Sequence, residues 1–230
     1  MNSLFSEFET VVVFDTETTG LSMQRDEIIE LGAVRLRRDG ISYVPDGELS
    51  CLISLPPDRT LPPEIVKLTG ITQTMLEEQG IDRQMAAVRL KELLTGPRML
   101  VIAYNAQFDL NFVYYLLARY DSAECLKQAK YLDALTVYRD RRPYPHRLEN
   151  AIEAYCLENA VNSHRAVDDA MATVQLLRAM EKEKDDLLSY VNLFGYHPKY
   201  GVSGKRIRSI HYLPQPYGAH PPLYTMAGVT

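Results

Sequence analysis

Two carboxylates stand two residues apart at the end of an apolar run, in the segment VVVFDTETTGL, residues 11–21. The run is β-branched and predicts a buried strand. Side chains at i and i+2 of a strand share a face, so Asp15 and Glu17 project together if the strand continues through Glu17. Like charges held close are costly unless a cation or a shared proton offsets them, and clustered carboxylate oxygens suit Mg²⁺ or Mn²⁺. A solvated strand end entering a turn is the alternative, because surface acids are common.

A third acidic position follows a second apolar run, in VIAYNAQFDLNFV. The run predicts a buried strand that ends near Tyr104, and Asp109 then stands at the start of an apolar helix. A carboxylate there could join the first two at the same edge of a sheet. The alternative is an ordinary acidic residue in the first turn of a helix, where it is favoured.

A histidine and two aspartates surround another helix start, in NSHRAVDDAMATVQLL. Histidine is the side chain that can take a proton near neutral pH, which makes His164 a candidate site residue. Asp169 can face the same site as His164. Asp168 falls four residues after His164, so spacing alone leaves the choice between the two aspartates open.

The elements that must position these residues alternate between strands and helices. The sequence predicts strands over 10–14, 29–36, 48–55 and 98–104, with a short strand or strand end within 130–138. It predicts helices over 62–70, 72–80, 82–96, 109–120 and 147–159, and one long helix, straight or bent, over 168–194. Three leading strands, a helical stretch and then strand–helix–strand–helix predict a mixed α/β sheet covered by helices. Asp15 would then lie at the end of a central strand.

Bulk composition sets the class of protein. The chain has 230 residues, a net charge of −5 and 46% hydrophobic residues, which suits one domain with an appendage. No run of about 18 apolar residues is present, so no membrane span is expected. The amino terminus lacks the basic and apolar regions of a secretory signal, and three widely spaced cysteines favour reduced thiols. We therefore expect a cytoplasmic protein that does not bind membranes.

The charge is unevenly distributed between a domain over 1–195 and an extension over 196–230. Residues 1–186 carry a net charge of −9, whereas residues 187–230 carry four bases and no acid. The extension is also rich in Tyr, Pro and Gly, which predicts a tail or a packed extension without a second core. Bases between tyrosines could follow a phosphate backbone and stack on nucleobases. Alternatively, the tyrosines pack on the domain and the bases are solvated.

Taken together and in order, the motifs FDTETTGL, NAQFD and His164 followed five residues later by Asp169 resemble those of the DEDDh exonucleases. This is the family of the proofreading epsilon subunit of DNA polymerase III. The resemblance covers about residues 8–182, and the segment LPPEIVKLTGITQTML is similar to the family's linking region. The first motif is especially similar to the exonuclease domain of the Gram-positive replicative polymerase. The resemblance implies a ribonuclease H-like fold, a mixed five-stranded sheet with a three-stranded antiparallel meander and parallel strands, flanked by helices.

The resemblance also implies a site and a reaction, the two-metal hydrolysis of phosphodiesters at 3′ ends. It selects Asp169 over Asp168 and makes His164 the general base. The implied ligands of two Mg²⁺ or Mn²⁺ ions are Asp15, Glu17, Asp109 and Asp169. The implied substrate-binding residues are Thr16, Thr18, Leu21, Tyr104, Asn105 and Phe108. Tyr104 is a departure, because family members often carry His before the Asn-Ala of the second motif.

The implied substrate is a nucleic acid, with single-stranded or frayed 3′ ends of DNA favoured over RNA because of the polymerase-like first motif. A DNA polymerase is a further candidate partner. An exoribonuclease that trims RNA is the alternative activity, since no residue visibly reads a 2′-hydroxyl. A noncatalytic nucleic-acid-binding module on the same fold is the alternative from another class.

Overall fold

One mixed sheet of five strands organises the computed structural model, which describes residues 2–158, 160 and 163–226. The strands are β1 (Thr10–Thr18), β2 (Ile28–Asp39), β3 (Ser42–Leu52), β4 (Met99–Ala103) and β5 (Lys130–Asp133). They lie in the order β3-β2-β1-β4-β5. The first three pair antiparallel, whereas β4 pairs parallel with β1 and with β5. The predicted fold class is therefore confirmed, and β1 is the central strand.

Helices cover both faces of this sheet. They are α1 (Asn2–Glu7), α2 (Pro63–Thr69), α3 (Gln73–Gln79), α4 (Arg83–Leu93), α5 (Ala106–Arg119), α6 (Ala134–Arg141), α7 (Leu148–Ala154), α8 (Ala166–Glu183) and α9 (Leu223–Met226). Within the described ranges, no helix combines the length and the apolar character needed to cross a bilayer.

The alternation of β1 divides the core into two layers. Val11 and Val13 pack in the cluster that contains Leu176 and Leu177 of α8. Val12 and Phe14 pack in the cluster that contains α4 and α5 residues. Because side chains of a strand alternate between faces, Asp15 continues the row of Val11 and Val13 toward α8. The strand that builds the core thus also aims the carboxylate.

The predicted long helix over 168–194 is wrong beyond residue 183. The helix α8 ends at Glu183, and Lys184 already has extended backbone angles, φ −155° and ψ 122°. Arg141 of α6 lies at this end: its guanidinium donates to the carbonyls of Met180 and Lys184 and to the Asp186 carboxylate. The Met180 carbonyl also accepts from the Lys184 amide at 3.0 Å, which closes the last turn of α8. A contact from a distant helix therefore lies at the end of α8.

Other predicted boundaries shift for local reasons. The short strand or strand end predicted within 130–138 is the four-residue β5, and α6 follows it directly. The helix begins there because the Asp133 carboxylate accepts from the amides of Leu135 and Thr136 and so caps α6. β3 begins six residues before the prediction, just after the turn at residues 40–41. The helix predicted over 147–159 ends at Ala154, and residue 159 lies outside the described part.

The extension packs against the domain, in line with one of the two expected states. A strand β6 (Leu193–Tyr196) pairs parallel with β7 (His211–Pro214). The Asn192 side chain accepts from the Tyr131 amide at 2.8 Å, and the Asn192 amide donates to the Tyr131 carbonyl at 2.7 Å, which ties β6 to β5. The predicted boundary at 195/196 falls inside β6, and the division into two units stays a prediction.

Candidate active site

Two carboxylates of β1 face the start of α8, as their spacing predicts. The strand continues through Thr18, so Asp15 and Glu17 project from one face and are partly exposed, while Thr16 and Thr18 are buried on the opposite face. A carboxylate oxygen of Glu17, a ring nitrogen of His164 and a carboxylate oxygen of Asp169 all lie within 4.8 Å of one another. Three donors from two distant parts of the chain thus meet at one point.

The structure separates Asp169 from its neighbour. Asp169 is 6% exposed and belongs to this cluster. The Asp168 carboxylate instead accepts a hydrogen bond from the Ser163 hydroxyl at 2.6 Å. Asp168 therefore holds the turn that carries His164, which has a left-handed backbone with φ 54°.

Asp109 approaches the same strand end from α5. It is 3% exposed, and its Oδ1 atom accepts from the Thr16 amide at 3.0 Å and from the Thr16 hydroxyl at 2.6 Å. The helix start is fixed because the Ala106 amide donates to the buried Asp133 carboxylate at 2.9 Å. Asp109 is thereby held beside β1 rather than left as a solvated first-turn acid.

Burial and mutual repulsion dominate the electrostatics of this cluster. Burial raises the pKa of Asp15 well above its usual range, and the charges of Asp109, Asp169 and Glu17 raise it further. Burial, assisted by Asp169 and opposed by Arg165, raises the pKa of Glu17 to about 8. Burial also raises the pKa of Asp109 and of Asp169 to about 7 each.

Such a cluster fits divalent cations. Four carboxylates supply the hard oxygen donors that Mg²⁺ and Mn²⁺ prefer, and a cation would offset the repulsion that raises their pKa values. The donor set and its geometry therefore agree with the predicted ligands Asp15, Glu17, Asp109 and Asp169, whose assignment stays a prediction.

The raised pKa values give an expected dependence of stability on pH. The folded protein binds more protons than the unfolded chain between the ordinary pKa of Glu17, 4.5, and its folded value of about 8. The free energy of unfolding therefore falls as pH rises through this window. In EDTA, we expect the melting temperature to be lower at pH 8 than at pH 5.5, and Mn²⁺ to restore it at pH 8. A melting temperature in EDTA that rises over this interval would contradict the description of the site.

An ion pair with one buried partner lies next to the cluster. Glu30, which lies opposite Glu17 in the register of β1 and β2, is 1% exposed. Its Oε1 atom accepts from Arg165 at 2.7 and 2.9 Å, and its Oε2 atom accepts from the Ala166 amide at 3.0 Å. Since Arg165 follows His164 and Ala166 starts α8, Glu30 fixes the segment that carries both His164 and Asp169.

Gly32 allows α8 to come this close. A Cβ atom at Gly32 would lie 2.1 Å from the Val167 amide nitrogen and 2.2 Å from the Ala166 carbonyl carbon, so a side chain would push the helix start off β2. The close approach of strand and helix is therefore encoded at Gly32.

We expect Glu30→Gln to lower the rate of cleavage about 10–100-fold, the range seen when partners behind a metal site are removed. Glutamine presents one acceptor where three donors converge, so the His164 turn loses its anchor. Glu30 would thus act as a positioning residue, and kcat should fall while KM for the strand stays constant. Glu9→Gln, which breaks the exposed Glu9–Arg98 pair, is the matched control. Equal rates for both variants would contradict the role.

The predicted substrate-binding residues differ in their exposure to solvent. Leu21 is 82% exposed, Asn105 is exposed, and Phe108 is partly exposed with its ring centroid 4.9 Å from that of Phe112. The Thr18 hydroxyl donates to the Gly20 carbonyl at 2.7 Å, and the Thr16 hydroxyl donates to the Asp109 carboxylate.

Tyr104 is buried, as are Thr16 and Thr18, although all three are predicted to bind substrate. Tyr104 is 9% exposed, and its hydroxyl donates to the His146 carbonyl at 2.8 Å. Burial raises its pKa, so the phenol stays neutral. The structure does not bring the Tyr104 hydroxyl to the candidate site, and its contact with substrate stays a prediction.

Sequence reasoning missed the residues that hold the ligands in place, Glu30, Arg165 and Asp133. A signal for Glu30 existed, because an acid within the apolar run IIELGAV implies a buried charge that needs a partner. Asp133 likewise lies between a short apolar strand and a helix, where a capping carboxylate is expected. The spacing of residues in the sequence does not predict which groups these residues contact.

Comparisons with known proteins agree with this geometry. The RNase_T family model, described as Exonuclease, matches residues 12–177. The DNA polymerase III subunit epsilon of Treponema pallidum is 32% identical over 181 residues, which cover 76% of this chain and 77% of that protein. The PolC-type DNA polymerase III of Clostridium perfringens is 34% identical over 180 residues, but this chain spans only 12% of its length.

A solved structure shows the same fold. Escherichia coli Exonuclease I in complex with a dT13 oligonucleotide matches with a TM-score of 0.69 at 23% identity, over 79% of this chain and 43% of that one. The resemblance to the DEDDh exonucleases is therefore confirmed. The chain belongs to the RNase_T exonuclease family, and residues 12–177 form its exonuclease domain.

Proposed function

We propose that the protein is a two-metal-dependent 3′–5′ exonuclease that releases nucleoside monophosphates from single-stranded or frayed 3′ ends of DNA. The observation that carries the proposal is the meeting of Glu17, His164 and Asp169 within 4.8 Å. The charges of Glu17 and Asp169 raise the pKa of Asp15, and Asp109 is fixed to the same strand end.

Each group has a defined task in this reaction. Asp15, Glu17, Asp109 and Asp169 would hold two Mg²⁺ or Mn²⁺ ions. Such ions, when bound, stabilise negative charge on the attacking and leaving oxygens. His164 takes the proton from the attacking water, which requires its neutral form. The exposed Leu21 packs against the terminal base, and Phe108 adds an apolar contact.

Relatives support DNA as the substrate and a polymerase as a partner. The Treponema relative is named as a subunit of DNA polymerase III, and the Exonuclease I structure contains a DNA oligonucleotide. We extend both properties to this chain as part of the proposal. Its three free cysteines fit the reducing cytoplasm, which we propose as its location.

The test is a gel assay on 5′-labelled single strands of DNA and RNA with the same sequence. Each strand is incubated with Mg²⁺, Mn²⁺ or EDTA, and the Asp15→Asn protein is run beside the wild type. A metal-dependent ladder that shortens from the 3′ end of DNA is the expected result. A ladder on RNA alone would replace the proposal with an exoribonuclease, and no ladder on either strand would leave a noncatalytic binding module.

A further inference from the structure

The extension touches the segment that carries Leu21. Gly204 has a left-handed backbone with φ 73°, and a Cβ atom there would lie 2.7 Å from the Met23 sulfur and 2.7 Å from the Asn111 side chain. Leu21 and Met23 belong to the same turn after β1. The loop over 203–208 is therefore packed beside the position proposed for the terminal nucleotide.

Two buried amides of α5 fix this loop. The Gln107 side chain accepts from the Ser203 amide at 3.2 Å, and the Asn111 side chain accepts from the Lys205 amide at 2.9 Å. Gln107 and Asn111 are 6% and 3% exposed, and Gln107 also donates to the Gly195 carbonyl at 2.8 Å. They flank Asp109 in sequence, so one rigid helix positions both the catalytic cluster and the Lys205 backbone.

The loop separates two adjoining cavities. The first, of about 420 Å³, lies between the Leu21–Gln24 turn and the loop, with Tyr115 and Lys205 on its wall. The second, of about 1000 Å³, lies between α5 and the loop and is lined by Tyr114, Lys205 and Arg208 among others. Lys205 lines both cavities, and we refer to the two cavities together as the groove.

The charge of this groove suits a polyanion. Lys205, Arg206 and Arg208 are exposed. Among the described residues, none of these three bases forms an ion pair with a carboxylate. The acids of the second cavity are Asp121 and Glu124, and Glu124 is paired with Lys127 at 2.6 Å. The positive charge of the three loop bases is therefore available to bind an anion, although the rest of the domain is acidic.

Aromatic rings accompany these bases. The Lys205 ammonium lies 5.1 Å from the centroid of the Tyr114 ring, and Arg206 lies 5.5 Å from that of Tyr212. Tyr115 is 39% exposed at the first cavity. Bases interleaved with aromatic rings along a groove are typical of surfaces that bind single-stranded nucleic acid.

We propose that the loop over 203–208 forms the outer wall of the strand-binding groove. Lys205 and Arg208 would bind backbone phosphates of the nucleotides on the 5′ side of the one released. This proposal rests on the proposed function and extends it, because it assigns strand binding to the extension. Phosphate is common to DNA and RNA, so the wall serves either strand.

The test compares two variants that lose the same charge. Lys205→Gln/Arg208→Gln removes two bases of the groove, and Lys67→Gln/Lys182→Gln removes two exposed bases of α2 and α8 that line neither cavity. Each pair is introduced into the Asp15→Asn protein. Binding to fluorescent dT12 and U12 is measured by anisotropy with Mg²⁺ over a series of salt concentrations.

We expect the groove variant to bind dT12 about tenfold more weakly than its control. The slope of log K against log salt should fall in magnitude by about 1.4, since each phosphate contact on a single strand contributes about 0.7. Affinity and slope equal to those of the control would overturn the groove while leaving the exonuclease proposal intact, provided that the wild type produces its ladder. No strand binding by any of these proteins would overturn the groove, and the absence of a ladder from the wild type would overturn the proposed function as well.

Discussion

Asp15→Asn is expected to lower Mg²⁺-dependent cleavage by at least about 10³-fold and, in EDTA at pH 8, to raise the melting temperature. Asp15 lies at the centre of the cluster, where the charges of Asp109, Asp169, Glu17 and Glu30 all raise its pKa. Asparagine keeps the shape but removes the charge that would hold a cation. Because the cations supply several kcal/mol of stabilisation to the transition state, and about 4 kcal/mol corresponds to 10³ in rate, the loss should be near complete.

The gain in stability has the same electrostatic cause. Without metal, the charges of the neighbouring carboxylates repel one another inside the protein, and an amide at residue 15 relieves this repulsion. Each kcal/mol relieved should raise the melting temperature by about 2–4 °C in a protein of this size. The gain should disappear in saturating Mn²⁺, which stabilises the wild type by binding its folded state.

Rate and melting temperature are measured on the same preparations. Asp58→Asn is the matched control, because Asp58 is an exposed acid that lies outside the cluster. A wild-type rate for Asp15→Asn would refute the assignment of the site. Loss of activity with a lowered melting temperature in EDTA would indicate a folding defect instead of a lost ligand.

His164→Asn is expected to reduce kcat by about 10²–10⁴-fold, the usual contribution of a general base. Asparagine tolerates the left-handed backbone that His164 adopts at φ 54°, so the turn should keep its shape. The amide cannot accept a proton from water, so the variant lacks the proposed general base.

The same variant separates two roles that the geometry allows. The His164 ring nitrogen lies close enough to Glu17 and Asp169 to be either a base or a ligand. A general base predicts that the Mn²⁺-dependent rise in melting temperature persists in His164→Asn. Loss of that rise would make His164 a ligand. His211→Asn, at an exposed histidine of β7, serves as the control and should keep wild-type kcat.

The sequence by itself determined the chemistry of the site and the frame that presents it. The β-branched run before Asp15 demanded a buried strand, and its period of two placed Asp15 and Glu17 on one face. The order of strands and helices sufficed to predict the mixed sheet. These features were readable because they depend on residues close together in the chain.

Only the tertiary structure decided how those residues are held and where the extension lies. Arg141 contacts the end of α8, Glu30 of β2 holds the segment that carries His164, and the Tyr104 hydroxyl donates to the His146 carbonyl. The extension was readable as basic and aromatic, yet its place beside Leu21 rests on Gln107 and Asn111. Each is a polar contact between segments far apart in the chain, and a local pattern cannot predict it because the partner is set by packing.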